Sequence, residues 1–158
     1  MNIVDATSDM ADRLSDLAMR SKASWGYEPS WLSLWQDDLT LVPEYIERHF
    51  VKVAECDGEL SGFIALNFDD AEIDHLWVEP QAMGKGVGKA LFATVRDAMK
   101  EAGINEIKIV SDPNAEGFYI GMGAKRVGSV ASLPPGRLLP KLSFALSESA
   151  ELSRGVVD

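Results

Sequence analysis

A chain of 158 residues, 46% hydrophobic and 25% charged, is long enough for one domain with a real core and has the composition of a soluble globule. Its formal net charge of -10 argues against a nucleic-acid partner, because phosphate backbones are bound by clustered Lys and Arg, and leans toward cationic molecules such as amines. Cys56 is alone and lacks the neighbours of a nucleophile, and His49 and His75 have no Cys partners, so neither a disulfide framework nor a metal site is expected.

Asn2 to Ala6 reads as a short first strand. The start of the chain has no basic segment and no apolar run, so no signal peptide is predicted and the expected location is cytoplasmic. No stretch approaches a membrane-spanning length. Ser8 suits the cap of a helix running to about Ser21, with Met10, Leu14 and Leu17 inward. A loop, Trp25-Gly26-Tyr27-Glu28-Pro29-Ser30, follows, and Ser30 is expected to cap a second helical piece that holds Trp31 and Trp35 one turn apart. Pro43 fits the first turn of a third piece ending at His49. Phe50 to Cys56 and Glu59 to Phe68 are strands joined by an Asp57-Gly58 hairpin turn, and the second is apolar enough to be central in a sheet.

The stretch from Ala71 to Gly103 organises the rest. It opens as a strand in which Ile73, His75 and Trp77 alternate with Glu72, Asp74, Leu76 and Val78. Pro80 ends the strand, and a turn with glycines at 84, 86 and 88 leads into a helix. Val87, Leu91, Val95, Ala98 and Ala102 share one face of that helix, and Gly103 closes it. Unpaired amides at a helix start, the helix dipole and glycines without a Cβ make an anion cradle, and Lys85 and Lys89 add positive charge. A plain glycine-rich connection is the alternative. A Walker loop is excluded, because Ala90 follows Gly88-Lys89 where Ser or Thr is required. The dinucleotide fingerprint also fails: counted from Gly84 or Gly86, its last glycine falls on Lys89 or Leu91.

Ile104 to Val110 is a further strand. Pro113 starts a short helix, Asn114 to Met122, ended by Gly123, and the strands Lys125 to Val130 and Leu138 to Leu146 complete the sheet. The domain spans residues 1–146, and the small, polar tail 147–158 is expected to fray.

The segment Leu76-Trp77-Val78-Glu79-Pro80-Gln81-Ala82-Met83-Gly84-Lys85-Gly86 resembles motif A of the GCN5-related N-acetyltransferases, the GNAT family. Downstream, Asp112-Pro113-Asn114-Ala115-Glu116-Gly117-Phe118-Tyr119-Ile120-Gly121-Met122-Gly123-Ala124 is similar to its motif B. The likeness covers Val51 to Val130 and thins over the first fifty residues. It implies an α/β fold with a mixed, mostly antiparallel sheet, in the order β-ααα-βββ-α-β-α-ββ, whose fourth and fifth strands splay to admit coenzyme A. It also implies transfer of acetyl from acetyl-CoA to a primary amine, with no metal. Pantetheine would bond the backbone of the motif-A strand at Leu76 and Val78, beside Trp77. The amides of Met83, Gly84, Lys85, Gly86, Val87, Gly88 and Lys89 would take the pyrophosphate, and Asn114 would contact the cofactor.

Amine acylation needs a base for the ammonium, a stabilised carbonyl and a proton for the departing thiolate. Tyr119 matches the family residue that protonates sulfur; otherwise it is a core aromatic behind Phe118. Glu72, at the start of the motif-A strand, resembles the glutamate base of the histone-acetylating branch, and Asp74 lies on the same face. His75 points the other way unless a bulge re-aims it. The alternatives are a solvated strand edge for the carboxylates and a half-buried histidine.

Trp25 and Tyr27, flanking Gly26, are expected to wall an acceptor site, and Arg137 in the late loop to grip an acceptor carboxylate. Trp31 and Trp35 are expected to pack helices onto the sheet. The expected acceptor is a small-molecule amine or an amino-acid-like molecule, with a homodimer left open. The rival reading is a non-catalytic acyl-CoA-binding regulatory module. A toxin-like acetylator of charged tRNA is disfavoured by the acidic balance.

Overall fold

The computed structural model describes residues 1–146. The tail expected to fray, 147–158, lies outside the described residues. Seven strands form one sheet in the order β1-β2-β3-β4-β5-β7-β6. They are β1 Asn2–Asp5, β2 Phe50–Cys56, β3 Glu59–Asn67, β4 Glu72–Val78, β5 Glu106–Val110, β6 Lys125–Ser132 and β7 Arg137–Ala145. Every neighbouring pair is antiparallel except β4 and β5. That one parallel pair exists because α5 (Val87–Ala102) carries the chain from the end of β4 back to the start of β5. The sheet is therefore the mixed, mostly antiparallel one that the sequence predicts. The Asp57-Gly58 hairpin is present, with positive φ at both residues (53° and 80°), as a tight two-residue turn requires.

The first helical block contains four short helices, one more than expected: α1 Ala11–Ala23, α2 Pro29–Leu34, α3 Gln36–Leu39 and α4 Pro43–Arg48. The second expected piece breaks at Trp35, whose φ of -96° and ψ of 0° leave the helical range. The caps also differ. Thr7 precedes a 3-10 turn, Ser8–Met10, that runs into α1, and α2 starts at Pro29 with Glu28 before it. Proline at N1 fixes φ for the first turn, so Ser30 falls inside the helix rather than at its cap. No helix among the described residues is long and apolar enough to cross a membrane.

The sheet separates two cores. On the front, α1 to α4 bury Leu14, Leu17, Trp35 and Leu39 against Val53, Phe63 and Ala65. On the back, α5 buries Val87, Leu91, Phe92, Val95, Ala98 and Met99 against residues of β3, β4, β5 and β7. The stripe of α5 is wider than predicted, because Phe92 and Met99 join it, while Ala102 in the last turn is exposed.

The alternation expected along β4 is broken. Pairing with β3 runs Ala65↔His75 and then Leu66↔Ile73, so Asp74 is an extra residue, a bulge. Ile73, Leu76 and Val78 therefore face the back core, while Trp77 and His75 face the front, where His75 lies 5.8 Å from the Phe63 ring.

Gly62 of β3 sits beside β4 and under the first turns of α5. A Cβ there would stand 2.9 Å from the Trp77 carbonyl oxygen and 3.0 Å from Val87 Cγ1. The backbone contact cannot swing aside, so Gly62→Ala is expected to lose about 1–3 kcal/mol of stability. A melt showing no loss would mean that β3 can shift away from both β4 and α5 at no cost.

Candidate active site

β4 and β5 pair at only two positions, Glu72↔Lys108 and Ile73↔Ile109, and then part. The bulge at Asp74 falls at the point of parting. The gap that opens holds a cavity of about 650 Å³. One wall is β4, with Leu76, Trp77 and Val78. A second is the glycine turn and the start of α5, with Met83, Gly84, Gly86, Val87, Gly88 and Lys89. The opposite wall is a 3-10 turn, Pro113–Ala115, and α6 (Glu116–Gly121), which bring Asn114, Phe118 and Tyr119. Ser21 and Trp25 close the front. The sequence thus brings its predicted cofactor residues to one cavity, with one exception. Lys85 is exposed beside the cradle and is not part of its wall.

The cradle has the geometry of an anion site. Gly84 and Gly86 have φ of 79° and 84°, a conformation that strains any residue with a Cβ. The amide of Ala90 bonds to the Gly86 carbonyl, so those of Val87, Gly88 and Lys89 precede the first helical hydrogen bond. These free amides, with the dipole of a 16-residue helix behind them, face the cavity end where a pyrophosphate would fit.

Tyr119 is 5% exposed and packs against Phe92 and Phe118. Its hydroxyl makes no hydrogen bond among the described residues, yet no buried side-chain polar atom there lacks a partner. The hydroxyl therefore opens into the cavity that Tyr119 lines. Burial pushes this phenol well above its ordinary pKa, so it stays protonated. It combines the core packing and the site placement that the sequence left as alternatives.

The predicted base residues lie elsewhere. Neither Glu72 nor Asp74 lines the cavity. Asp74 accepts a 2.6 Å hydrogen bond from the Tyr45 hydroxyl, at the inner end of the gap. The Tyr45 phenol is itself raised, by burial first and then by Asp74. His75 is depressed to about 4 by burial, against the pull of Asp74, and is neutral at pH 7. Its Nδ1 accepts from Trp77 Nε1 at 3.1 Å, which leaves its ring proton on Nε2.

The acceptor residues form a network that sequence reading saw only in part. Trp25 lines the cavity. The Tyr27 hydroxyl donates to Asp112 (3.0 Å) and accepts from Arg137 Nη2 (3.0 Å) and Asn114 Nδ2 (3.1 Å). Arg137 is no solvated surface residue: its guanidinium stacks 4.5 Å from the Trp35 ring and 5.3 Å from the Tyr27 ring. Trp35 Nε1 donates to the Leu133 carbonyl at 2.8 Å, fastening the loop between β6 and β7 to the helical layer. Trp35 is buried and packs as expected.

The residues missed are Lys22 and Asp112. Lys22 Nζ is 2.5 Å from Asp112 Oδ2, and the two side chains are 9% and 4% exposed. Burial would raise Asp112, but Lys22, the Asn114 amide and Tyr27 hold it below the usual carboxylate range. Asp112 was legible as a helix cap, because Asp before Pro at N1 marks a helix start, and it does accept from the Asn114 amide. Nothing in the sequence pointed from Lys22 to a residue 90 positions away.

A strand pair that parts beside a glycine-rich helix start, with Tyr119 lining the gap, is the layout that the resemblance to the GNAT family implies. Residues 37–132 match the family model described as an acetyltransferase (GNAT) domain, and the chain belongs to that family. A provisional ribosomal protein bS18-alanine N-acetyltransferase of Bacillus subtilis (strain 168) is 29% identical over 106 residues, 63% of this chain and 70% of that protein. Among solved structures, a GCN5-related N-acetyltransferase from Rhodopseudomonas palustris has a TM-score of 0.79 at 18% identity, covering 92% of this chain and 95% of that one. The PaiA N-acetyltransferase of Thermoplasma acidophilum, solved with coenzyme A, has a TM-score of 0.77 at 20% identity, with 91% and 98% covered. Among the described residues there is no His, Cys, Asp or Glu group that could hold a metal ion.

Proposed function

We propose that the protein moves the acetyl group of acetyl-CoA directly to the primary amine of a small or amino-acid-like acceptor. The observation that carries this reading is the single cavity running from the glycine cradle to the Tyr119 hydroxyl. In it the cradle amides bind the pyrophosphate, and the backbone of Leu76 and Val78 aligns the pantetheine. Asn114 and Trp77 flank the chain, with Lys89 beside the phosphates. Tyr119 gives its proton to the departing thiolate as the tetrahedral intermediate collapses. Neither Asp74, held by Tyr45, nor Glu72 lines the cavity, so the amine's proton leaves through water rather than directly to a carboxylate.

The acceptor enters from the front beside Trp25, bordered by the hydrogen-bonded Tyr27–Arg137 pair, which does not itself line the cavity. The Trp35–Leu133 and Tyr27–Arg137 hydrogen bonds close that side down, which supports a small acceptor over a long peptide. Alanine at Trp25 and at Arg137 is expected to raise the acceptor KM while leaving the acetyl-CoA KM near wild type. Unchanged acceptor KM in both variants would move the acceptor elsewhere. Acetyl-CoA-dependent thiol release, measured with a panel of small amines and a peptide with an N-terminal alanine, tests the whole reading. Turnover with the small amines supports it. Turnover with the peptide alone replaces the acceptor class, and no turnover with intact coenzyme A binding leaves a regulatory module.

A further inference from the structure

Among the described residues Lys22 is the one buried amine, and this mechanism does not use it. Three residues beyond the last β4–β5 pair, Ile73↔Ile109, stand Leu76 on one strand and Asp112 on the other side of the gap. Lys22 Nζ reaches across from α1 to Asp112 at this level. It lies 5.7 Å from the ring centroid of Trp77, which lines the cavity, and 4.6 Å from that of Trp35. Its chain neighbour Ser21 lines the cavity too, as does Asn114, which donates to Asp112 at 3.0 Å. The amine is thus one side chain from the cavity on three sides, and aromatic faces shield it from solvent.

We infer that Lys22 is a self-acetylation site, the chain's own ε-amine serving as acceptor for a thioester held in the β4–β5 gap. The inference rests on the acetyl-CoA reading of the cavity. In the reaction Lys22 Nζ bonds to the thioester carbonyl carbon and the carbon–sulfur bond breaks. Two protons leave the nitrogen: one goes to Asp112 and on to solvent, and the other ends on sulfur, so that coenzyme A departs as its thiol. Burial favours this by lowering the ammonium's pKa, although the bond to Asp112 opposes the shift. Fixed placement supplies the rest, since an amine held beside its electrophile reacts at a high effective concentration. The product has lost its charge and leaves Asp112 to Tyr27, Asn114 and Arg137. Self-acetylation therefore releases the link that α1 makes across the gap.

The test incubates the full chain with acetyl-CoA and no amine, then maps peptides by mass spectrometry, with coenzyme A affinity measured on the same preparation. The expected result is up to one acetyl group per chain on Lys22, at a rate per chain that does not depend on protein concentration. The label should vanish at that position in Lys22→Arg and in Gly86→Val. The wild-type map decides the matter even if a variant fails to fold. An unlabelled Lys22 in protein that binds coenzyme A overturns the inference alone. So does a labelling rate that scales with protein concentration, or equal labelling of the unfolded chain. Protein that binds no coenzyme A overturns the acetyl-CoA reading and the inference with it.

Discussion

Gly86→Val is expected to abolish measurable acetyl-CoA binding while leaving a folded protein. Gly86 stands before the first turn of α5 with φ of 84°, and a Cβ built on it meets no protein atom within 4 Å. Gly86 lines the cavity, so the added side chain takes up open space at its wall. Valine therefore acts twice. It imposes a left-handed backbone on a β-branched residue, at about 1–2 kcal/mol, and it places methyl groups where a phosphate must approach the amides of Val87 to Lys89. The strain alone would show as a lower melting temperature, whereas the steric block removes the ligand. Calorimetry with acetyl-CoA and a melt on the same variant separate the two effects. Wild-type affinity would remove the cradle assignment.

Tyr119→Phe is expected to lower kcat at least tenfold and to leave most of the acetyl-CoA affinity. A general acid contributes roughly 10²–10⁴-fold. The ring keeps its contacts with Phe92 and Phe118, because the hydroxyl makes no bond to protein among the described residues. The deletion therefore removes a proton and little packing. Because burial holds the phenol well above its usual value, it stays protonated throughout the neutral range, and the pH–rate profile of the wild type should carry no limb from it. A kcat within about twofold of wild type would make Tyr119 a packing residue, with the thiolate served by water.

What could be read from the sequence was what local patterning decides. The strand, glycine turn and helix from Glu72 to Ala102 stand where their apolar spacing places them, and the cradle residues meet in one cavity. The facing of β4 was not legible beyond Ile73, because a bulge depends on the partner strand, here at Ala65 and Leu66. The same holds for the break at Trp35: the indole is fixed by a carbonyl 98 residues away, which no local propensity encodes. Asp112, just before Pro113, caps the turn that follows, yet its burial and its ties to Lys22, Tyr27 and Arg137 come from three distant segments. The candidate site was thus legible on its cofactor side, built from one continuous stretch and one helix. It was obscure on its acceptor side, assembled from α1, the following loop and β7.

Two rungs of pairing join β4 to β5, so the sheet is close to being two sheets, one of four strands and one of three. Their coupling falls on the back core, which bridges both, and in front on the ties of the helical layer: Lys22 and Tyr27 to Asp112, Tyr27 to Arg137, and Trp35 to the Leu133 carbonyl. Such a molecule should breathe along this seam, with amide exchange fastest where the ladder stops. A ligand lying in the seam touches both halves and works as a staple. Its binding energy then becomes cooperativity, and heat should unfold the loaded chain as one unit.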